Sequence, residues 1–157
     1  MNKKIGVVTG SSTGIGKAIA IAFAKSGEYF AVVTNARKLQ EALVVSDEIR
    51  TLGCNSIPIE ADLSKEADCV RLIEDTIKNY NRIDGLVNNA GIQQDVPLEE
   101  TTIDLWQKIL AVDLTGPFIC SREAVKHMEK QQDPTGGCII NITSVHQLIP
   151  KPHYIPY

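Results

Sequence analysis

The sequence has no excess of basic residues and no long apolar run. Its 157 residues contain 16 lysines and arginines against 19 aspartates and glutamates, which gives a formal net charge of −3. The positive residues are scattered, unlike those of a surface that binds nucleic acid or anionic lipid. No apolar stretch approaches the roughly 20 residues of a membrane-spanning helix, and no signal-peptide pattern follows Met1. We therefore expect a cytoplasmic protein with no nucleic-acid partner and no membrane partner.

Cysteines and aromatic residues are also few. The four cysteines lie far apart, whereas zinc sites need close pairs, so we predict no metal site and four buried, reduced thiols. These cysteines are Cys54, Cys69, Cys120 and Cys138. Aromatic residues make up 5% of the chain, and we interpret the single tryptophan, Trp106, as part of the core. With 43% hydrophobic and 22% charged residues and no repeat, the composition is typical of one globular domain over residues 1–157.

Apolar residues alternate between strand-like runs and segments with helical spacing. The runs predict strands at residues 5–8, 29–34, 56–60, 83–88 and 138–142. The periodic segments predict helices at residues 15–23, 39–52, 64–80 and 105–128. Ser64 is the expected N-cap of the third helix, and the second and fifth strands are expected to be buried on both faces. This alternation predicts an α/β fold, a doubly wound parallel sheet between two helix layers, as in Rossmann-type domains.

A glycine-rich loop, Thr9–Gly16, with the sequence TGSSTGIG, lies between the first predicted strand and the first predicted helix. The start of a helix offers unpaired N–H groups and a positive dipole end, so anions bind there when no side chain blocks the backbone. Gly10 suits a tight turn. Gly14 would allow a phosphate to approach the backbone closely, and Gly16 would allow the helix to pack closely on the sheet. We predict that this loop binds the pyrophosphate of a dinucleotide.

The remaining loop residues are three hydroxyl residues and an isoleucine. Ser11, Ser12 and Thr13 are expected to add hydroxyl donors, and Ile15 completes the segment predicted to contact the cofactor. The alternative is an ordinary strand-to-helix turn in which Ser12 or Thr13 caps the helix. The flanking strand and helix favour nucleotide binding, because the glycine motif requires that setting.

The carboxyl ends of the other predicted strands carry small or polar residues, and ligands of doubly wound sheets bind at that edge. After the second strand, an acid would bind the ribose of NAD, whereas a cation would pair with the 2′-phosphate of NADP. Arg37 stands there, so we predict NADP as the cofactor, with NAD as the alternative. The other interpretation of Arg37 is a solvated charge at the start of a helix. Asp62 follows the third strand, where it could cap the loop at Ser64.

The loop TGSSTGIG and the NNAG of Asn88–Gly91 resemble the two cofactor motifs of the short-chain dehydrogenase/reductase family. The resemblance implies hydride transfer between a nicotinamide and a small-molecule alcohol or carbonyl substrate. It implies that Asn89, Ala90 and Gly91 shape the floor of the cofactor site, and that Asp62 faces the adenine ring. It also implies a homo-oligomer, a tetramer, for a full-length protein.

Ser144 and Tyr157 have the thirteen-residue spacing of the family's catalytic serine and tyrosine. The resemblance implies that Ser144 binds the substrate oxygen and that Tyr157 exchanges the hydroxyl proton. A phenol with a pKa near ~10 needs nearby positive charge to act at neutral pH. The family supplies a lysine four residues after the tyrosine, and the 157 residues do not reach it. We therefore expect the N-terminal part of a family domain, without its C-terminal strands and helices, and inactive by itself.

Asp113 and His146 are two further candidate residues of the predicted active site. Asp113 stands where the family usually places an asparagine that organises a proton-relay water; an aspartate accepts that hydrogen bond but donates only when protonated. A surface position on the helix is its alternative interpretation. His146 could reach a polar substrate, and Ser144–His146 resembles the bacterial glucose dehydrogenases of the family, which implies a sugar such as glucose. A 3-oxoacyl-[acyl-carrier-protein] reductase and a dinucleotide-binding module without turnover are the alternatives.

Overall fold

The computed structural model describes residues 4–131 and 136–157, and its strands form one parallel sheet. The strands are β1 (Lys4–Val8), β2 (Tyr29–Ala36), β3 (Asn55–Glu60), β4 (Gly85–Asn88) and β5 (Cys138–Asn141). Their order across the sheet is β3-β2-β1-β4-β5, and each neighbouring pair is parallel. The chain winds outward from β1 in both directions, which confirms the predicted doubly wound α/β fold.

Helices connect the strands and cover both faces of the sheet. They are α1 (Gly14–Lys25), α2 (Leu39–Thr51), α3 (Glu66–Tyr80), α4 (Ile103–Leu110) and α5 (Gly116–Met128). A π-helical turn, Ala111–Thr115, joins α4 to α5, so the predicted long helix is continuous but changes its winding in the middle. Of the helices in the described ranges, none has the length and apolar character needed to cross a bilayer.

Two apolar clusters hold the layers together, one on each face of the sheet. Val7 of β1 packs in the cluster with Leu72 of α3 and Ile119 of α5. Its neighbour Val8 packs on the other face, where α2 contributes Val45. Because successive strand residues point to opposite faces, strands covered on both sides must be apolar throughout. This requirement explains the continuous apolar runs of the sequence.

Parallel pairing brings the carboxyl ends of β1, β2 and β4 to one edge of the sheet. Val8 of β1 is paired with Thr34 of β2 and with Val87 of β4. The chain leaves β1 toward β2 on one side, and β4 lies on the other side, so a crevice opens at this edge where the winding reverses. The glycine loop and the NNAG segment both begin here.

The fifth strand is less buried than predicted. β5 lies at the edge of the described sheet, where it pairs with β4, and three of its four residues are exposed. Cys138 is one of them, so the predictions of a fully buried strand and of four buried thiols are wrong at this edge. Cys54, Cys69 and Cys120 are buried as predicted.

Three local predictions are corrected as well. Trp106 is 40% exposed rather than in the core. Phe30 is 42% exposed and lies next to the point where the register of β1 against β2 shifts, although the strand is buried from Ala31 onward. Ser64 does not cap α3; Lys65 precedes that helix, and no side-chain cap is formed.

Candidate nucleotide-binding site

The glycine loop leaves the start of α1 open. Thr13 occupies the N-cap position with an extended backbone, but its side chain makes no capping hydrogen bond. The first turn of α1 also contains no acidic residue. The first N–H groups of the helix are therefore left for an anionic ligand, with no carboxylate of that turn competing for them. The alternative interpretation is thus right about the position of the N-cap, Thr13, but no side-chain hydrogen bond of that residue closes the turn.

Three glycines give the loop its shape, each for a different reason. Gly10 has a φ of +58°, and a Cβ there would lie 2.8 Å from the Cα of Ala90. Gly14 has a φ of +56°, but a Cβ there would meet nothing within 4 Å. At Gly16 a Cβ would lie 2.5 Å from the carbonyl oxygen of Gly10 and would also overlap the Asn89 amide. The backbone is thus packed closely at Gly10 and Gly16 and open at Gly14.

The side chains of the loop differ in how far they face the crevice. Ser11 is buried, and its Oγ accepts a hydrogen bond from the backbone N–H of Asn35 at 2.9 Å. Because this side chain is fully buried against β2, its hydroxyl does not face the crevice, and the prediction that it adds a donor to the site is wrong. Ser12 is half-buried, Thr13 is exposed, and Ile15 is 64% exposed.

The NNAG segment is hydrogen-bonded directly to the glycine loop. Thr9 Oγ1 accepts from the backbone N–H groups of Asn89 at 2.9 Å and Ala90 at 3.0 Å. The Asn89 Nδ2 donates to the carbonyl oxygens of Thr9 at 2.9 Å and Gly10 at 3.1 Å. The two motifs, some eighty residues apart in sequence, thus form one bonded unit at the edge of the sheet. Thr9 is a structural member of the site that the sequence analysis did not single out.

Arg37 and Asp62 lie at the ends of β2 and β3, away from the catalytic candidates. Asp62 Oδ1 accepts from the backbone N–H of Ser64 at 3.1 Å and from its hydroxyl at 2.8 Å. The Ser64 hydroxyl bond lowers the pKa of Asp62, and the positive charge of Arg37 contributes to the same shift. Asp62 therefore makes the predicted loop-capping contact, and the exposed Arg37 side chain lies within electrostatic reach of it.

A cavity of about 710 Å³ continues from the glycine loop toward β5. Its wall includes one residue of the glycine loop, all four residues of NNAG and all the predicted catalytic and substrate residues: Ile15, Asn88, Asn89, Ala90, Gly91, Asp113, Ser144, His146 and Tyr157. Arg37 and Asp62 are not part of this wall. The structure thus brings NNAG and the predicted catalytic residues together around one cavity, and Arg37 and Asp62 lie outside it at the same edge of the sheet.

Asp113 is a half-buried wall residue in the π-helical turn, so its interpretation as a surface residue is wrong. Its Oδ1 accepts from the backbone N–H of Ile92, directly after NNAG, at 2.8 Å. Its Oδ2 is buried and finds no hydrogen-bond partner in the described part of the chain. Burial raises the pKa of this carboxyl, against the opposing effect of the Ile92 N–H.

Ser144, His146 and Tyr157 all line the cavity. Ser144 Oγ accepts from the backbone N–H of His146 at 3.2 Å, which leaves the hydroxyl proton available for another acceptor. His146 Nδ1 lies 2.9 Å from the carbonyl oxygen of Ile149. Because a carbonyl only accepts, we assign the imidazole proton to Nδ1, and the neutral ring then presents Nε2 as an acceptor. The ring centroids of His146 and Tyr157 are 6.5 Å apart.

Residues 4–157 match the family model described as short chain dehydrogenase. The chain belongs to this family. The match includes the glycine loop, NNAG, Ser144 and Tyr157, so the family resemblance of the sequence is confirmed.

Relatives in the short chain dehydrogenase family include enzymes for different substrates. Glucose 1-dehydrogenase from Gluconobacter oxydans (strain 621H) is 38% identical over 156 residues, which cover 99% of this chain and 57% of that protein. A metagenomic short-chain oxidoreductase, solved in complex with NADP, is 31% identical with a TM-score of 0.89, covering 98% of this chain and 68% of that one. Acetoin dehydrogenase from Salmonella typhimurium is 35% identical with a TM-score of 0.90, covering 100% and 60%. The chain thus spans somewhat more than half the length of these relatives.

Two buried asparagines of this chain had no role assigned to them from the sequence. Asn35 lies in β2, 2% exposed, beneath the glycine loop. Asn88, at the end of β4, donates from Nδ2 to Ser121 Oγ at 3.0 Å and to Asn141 Oδ1 at 2.9 Å, which links β4 to α5 and β5. A polar residue inside an apolar strand was the available signal, because a buried amide must find partners.

Proposed function

We propose that this chain binds NADP at the carboxyl edge of its sheet, as the cofactor-binding part of an oxidoreductase acting on alcohols or carbonyl compounds. The open start of α1 carries the proposal, because it combines uncapped N–H groups with free space at Gly14, next to the cavity that Ser144 and Tyr157 border. A pyrophosphate suits this arrangement, since the helix N-terminus attracts an anion and no Cβ stands in its way. The 31% identical oxidoreductase in complex with NADP supports the choice of cofactor.

Arg37 and Asp62 are proposed to hold the adenosine end of the cofactor. A guanidinium pairs with a phosphate through two parallel hydrogen bonds, so the exposed Arg37 suits the 2′-phosphate of NADP. Asp62 keeps one carboxylate oxygen on Ser64, and its other oxygen is proposed to face the adenine side. Asn89, Ala90 and Gly91 would form the floor between this end and the cavity.

The proposed reaction uses Ser144 and Tyr157 on one substrate oxygen. Bound NADP would supply the hydride acceptor or donor. Ser144 would donate its free hydroxyl proton to the substrate oxygen, and Tyr157 would give or take the proton of that oxygen. Asp113 would order a water of the proton path. We propose cofactor binding for these 157 residues, and turnover for a protein in which a lysine follows Tyr157 by four positions.

A sugar such as glucose is the proposed substrate. His146 supports this choice, because Nε2 of its neutral ring would accept a hydrogen bond from a substrate hydroxyl beside Tyr157. The 38% identity to glucose 1-dehydrogenase supports it as well. A 3-oxoacyl thioester is the alternative substrate, and a binding module without turnover is the alternative function. Assays of a lysine-containing, extended protein with aldoses and with 3-oxoacyl thioesters would separate the three.

Fluorescence titration with NADPH and NADH tests the cofactor proposal. We expect NADPH to bind roughly tenfold tighter than NADH, and Arg37→Ala to remove that preference through loss of a charge-assisted contact. Lys38→Ala is the matched control, because Lys38 is an exposed neighbour paired with Glu41. Equal affinities in the parent would indicate NAD, and no binding of either nucleotide would overturn the proposal.

A further inference from the structure

A buried amide supports the glycine loop from below. The side chain of Asn35 is enclosed in β2, and its Oδ1 accepts from the backbone N–H of Gly10 at 3.0 Å. Its Nδ2 donates to the carbonyl oxygens of Ile59 at 3.2 Å and Ala61 at 3.3 Å. The oxygen thus faces a donor and the nitrogen faces two acceptors, so the partners determine the orientation of the amide.

The backbone of Asn35 is bonded to the same loop. Its N–H donates to Ser11 Oγ at 2.9 Å, and its carbonyl oxygen accepts from the N–H of Ser11 at 2.9 Å. Together with the Gly10 contact, three hydrogen bonds connect β2 to the loop. We call these three bonds of Asn35 with Gly10 and Ser11 the loop joint.

The loop joint acts on the residue where the loop turns. Gly10 has a positive φ, its N–H is held by Asn35, and its carbonyl oxygen is held by Asn89 Nδ2 at 3.1 Å. The peptide groups on both sides of Gly10 are therefore fixed without a ligand. A loop that is ordered in advance loses less conformational entropy when it binds, so its affinity is higher.

We propose that Asn35 is a positioning residue for the phosphate-binding loop, which it holds in its binding shape through the loop joint. The same side chain reaches the end of β3, where Ala61 precedes Asp62, so it links the two ends of the site. The identity of the ligand rests on the proposed function, whereas the loop joint itself can be measured without a ligand.

An asparagine suits this position better than its closest replacements. An aspartate would keep the acceptor for Gly10 but would place a carboxylate oxygen against the Ile59 and Ala61 carbonyl oxygens. An alanine or a leucine would remove the acceptor of the Gly10 N–H and the donor that faces the carbonyl oxygens of Ile59 and Ala61, and the loss of such buried partners is costly. The neighbouring Thr34 offers a matched control, because its buried Oγ1 donates to Ala42 O at 3.0 Å, in α2 rather than in the loop.

Hydrogen exchange of the ligand-free chain, followed by NMR, tests the loop joint directly. We expect the Gly10 and Ser11 amides to exchange about tenfold faster or more in Asn35→Ala than in the parent, because their acceptors are lost or displaced. Thr34→Val should leave both rates unchanged although it also loses a buried hydrogen bond. Equal exchange of these amides in Asn35→Ala and the parent would overturn the proposal, whatever ligand the protein binds.

Binding of two nucleotides then separates positioning from general destabilisation. Asn35→Ala should weaken NADPH binding about tenfold or more, and binding of 2′-AMP, which has no pyrophosphate, by at most about twofold. Thr34→Val should change neither affinity. An equal loss for both nucleotides, or no loss for NADPH, would contradict the proposal. If the parent chain failed to bind NADPH, the proposed function would be overturned, but the hydrogen-exchange result for the loop joint would still hold.

Ser11→Ala gives the same test a second route if Asn35→Ala does not fold. It removes one bond of the loop joint, the acceptor of the Asn35 N–H, and leaves the amide side chain in place. We expect effects in the same direction but smaller than those of Asn35→Ala. The Asn35 amide should exchange faster, and NADPH affinity should fall while 2′-AMP affinity does not. Parent-like exchange and parent-like affinity in a folded Ser11→Ala would overturn the role of the joint.

Discussion

Asp113 illustrates how burial decides the charge of a single side chain in this crevice. Its carboxyl receives one backbone N–H, from Ile92, and its second oxygen is buried without a hydrogen-bond partner among the described residues. Among the described residues, no lysine or arginine lines the cavity that it borders. A carboxylate in such surroundings is poorly solvated, so the neutral acid is favoured and its pKa rises.

The stability advantage of Asp113→Asn over the parent should therefore increase as the pH rises. Below the ordinary pKa of 3.8, Asp113 is neutral in both the folded and the unfolded chain, so ionisation contributes nothing. As the pH rises, the unfolded chain ionises first, and the parent loses stability relative to the asparagine variant until the folded pKa is passed. Urea unfolding from about pH 4 to about pH 8 measures this difference.

Asp62→Asn is the control with the opposite sign. The pKa of Asp62 is lowered, chiefly by the Ser64 hydroxyl, so its ionised form stabilises the fold. This variant should be less stable than the parent at neutral pH, and the difference should shrink as the pH falls through the folded pKa. If Asp113→Asn lost stability relative to the parent with rising pH, the assignment of a raised pKa would be contradicted.

Single residues were predictable where backbone chemistry dictates the residue type. The glycines of the loop follow from positive φ at Gly10 and Gly14, and such demands are visible in sequence. The partners of Asn35 and Asn88 were not predictable, because they come from other strands and a helix that only the fold brings together. The exposure of Trp106 was missed for the same reason, since it depends on how α4 packs.

At the scale of elements, the junction between the π-helical turn and α5 sets the wall of the cavity. A π-helical turn holds more residues than an α-helical turn, so it shifts the side-chain register between α4 and α5. Gly116 follows the turn, and a Cβ there would lie 2.6 Å from the carbonyl oxygen of Leu63. The start of α5 is thus packed against the loop that follows β3 through a backbone contact.

Gly116→Ala should therefore destabilise the chain by about 1–3 kcal/mol, because the carbonyl of Leu63 cannot move aside like a flexible side chain. Urea denaturation gives the free energy of unfolding. Gly91→Ala is the control, since an added Cβ there would only make ordinary contacts with Asp113, at 3.6 Å or more. A Gly116→Ala chain as stable as the parent would contradict the close contact.

The order of the elements was predicted correctly because their apolar periods differ. Strands β1 to β4 read as apolar runs, and α1 to α3 as amphipathic segments, so the parallel winding followed. The π-helical turn was not predictable, since the same residues fit a continuous α-helical pattern. The Ser64 cap was also wrong, because α3 begins at Glu66 with Lys65 in the N-cap position, while the Ser64 hydroxyl donates to Asp62 at 2.8 Å.

At the scale of the whole molecule, the exposed edge of the sheet is the feature most able to promote association. β5 is the last strand of the described sheet, and its Ile140 is 44% exposed. An apolar edge strand offers both backbone groups and side chains to a second copy. The homo-oligomer implied for a full-length protein stays a prediction.

Ile140→Lys should reduce self-association of the 157-residue chain, because a charge on an edge strand disfavours pairing with another edge. Sedimentation velocity over a range of concentrations measures it. Val44→Lys, on the exposed face of α2, is the control for added charge alone, since Val44 is 56% exposed. A parent that stays monomeric, or equal association in both variants, would show that the edge of β5 has no such role.

The most direct test of the proposed function is NADPH binding by Gly14→Ala compared with Gly53→Ala. Both glycines have a positive φ, and in both cases an added Cβ meets nothing within 4 Å, so backbone strain should cost the two variants similar stability. Only Gly14 begins α1 at the open N–H groups. We predict that Gly14→Ala binds NADPH at least about tenfold more weakly than Gly53→Ala. Equal, parent-like binding by both folded variants would contradict a pyrophosphate site in the glycine loop.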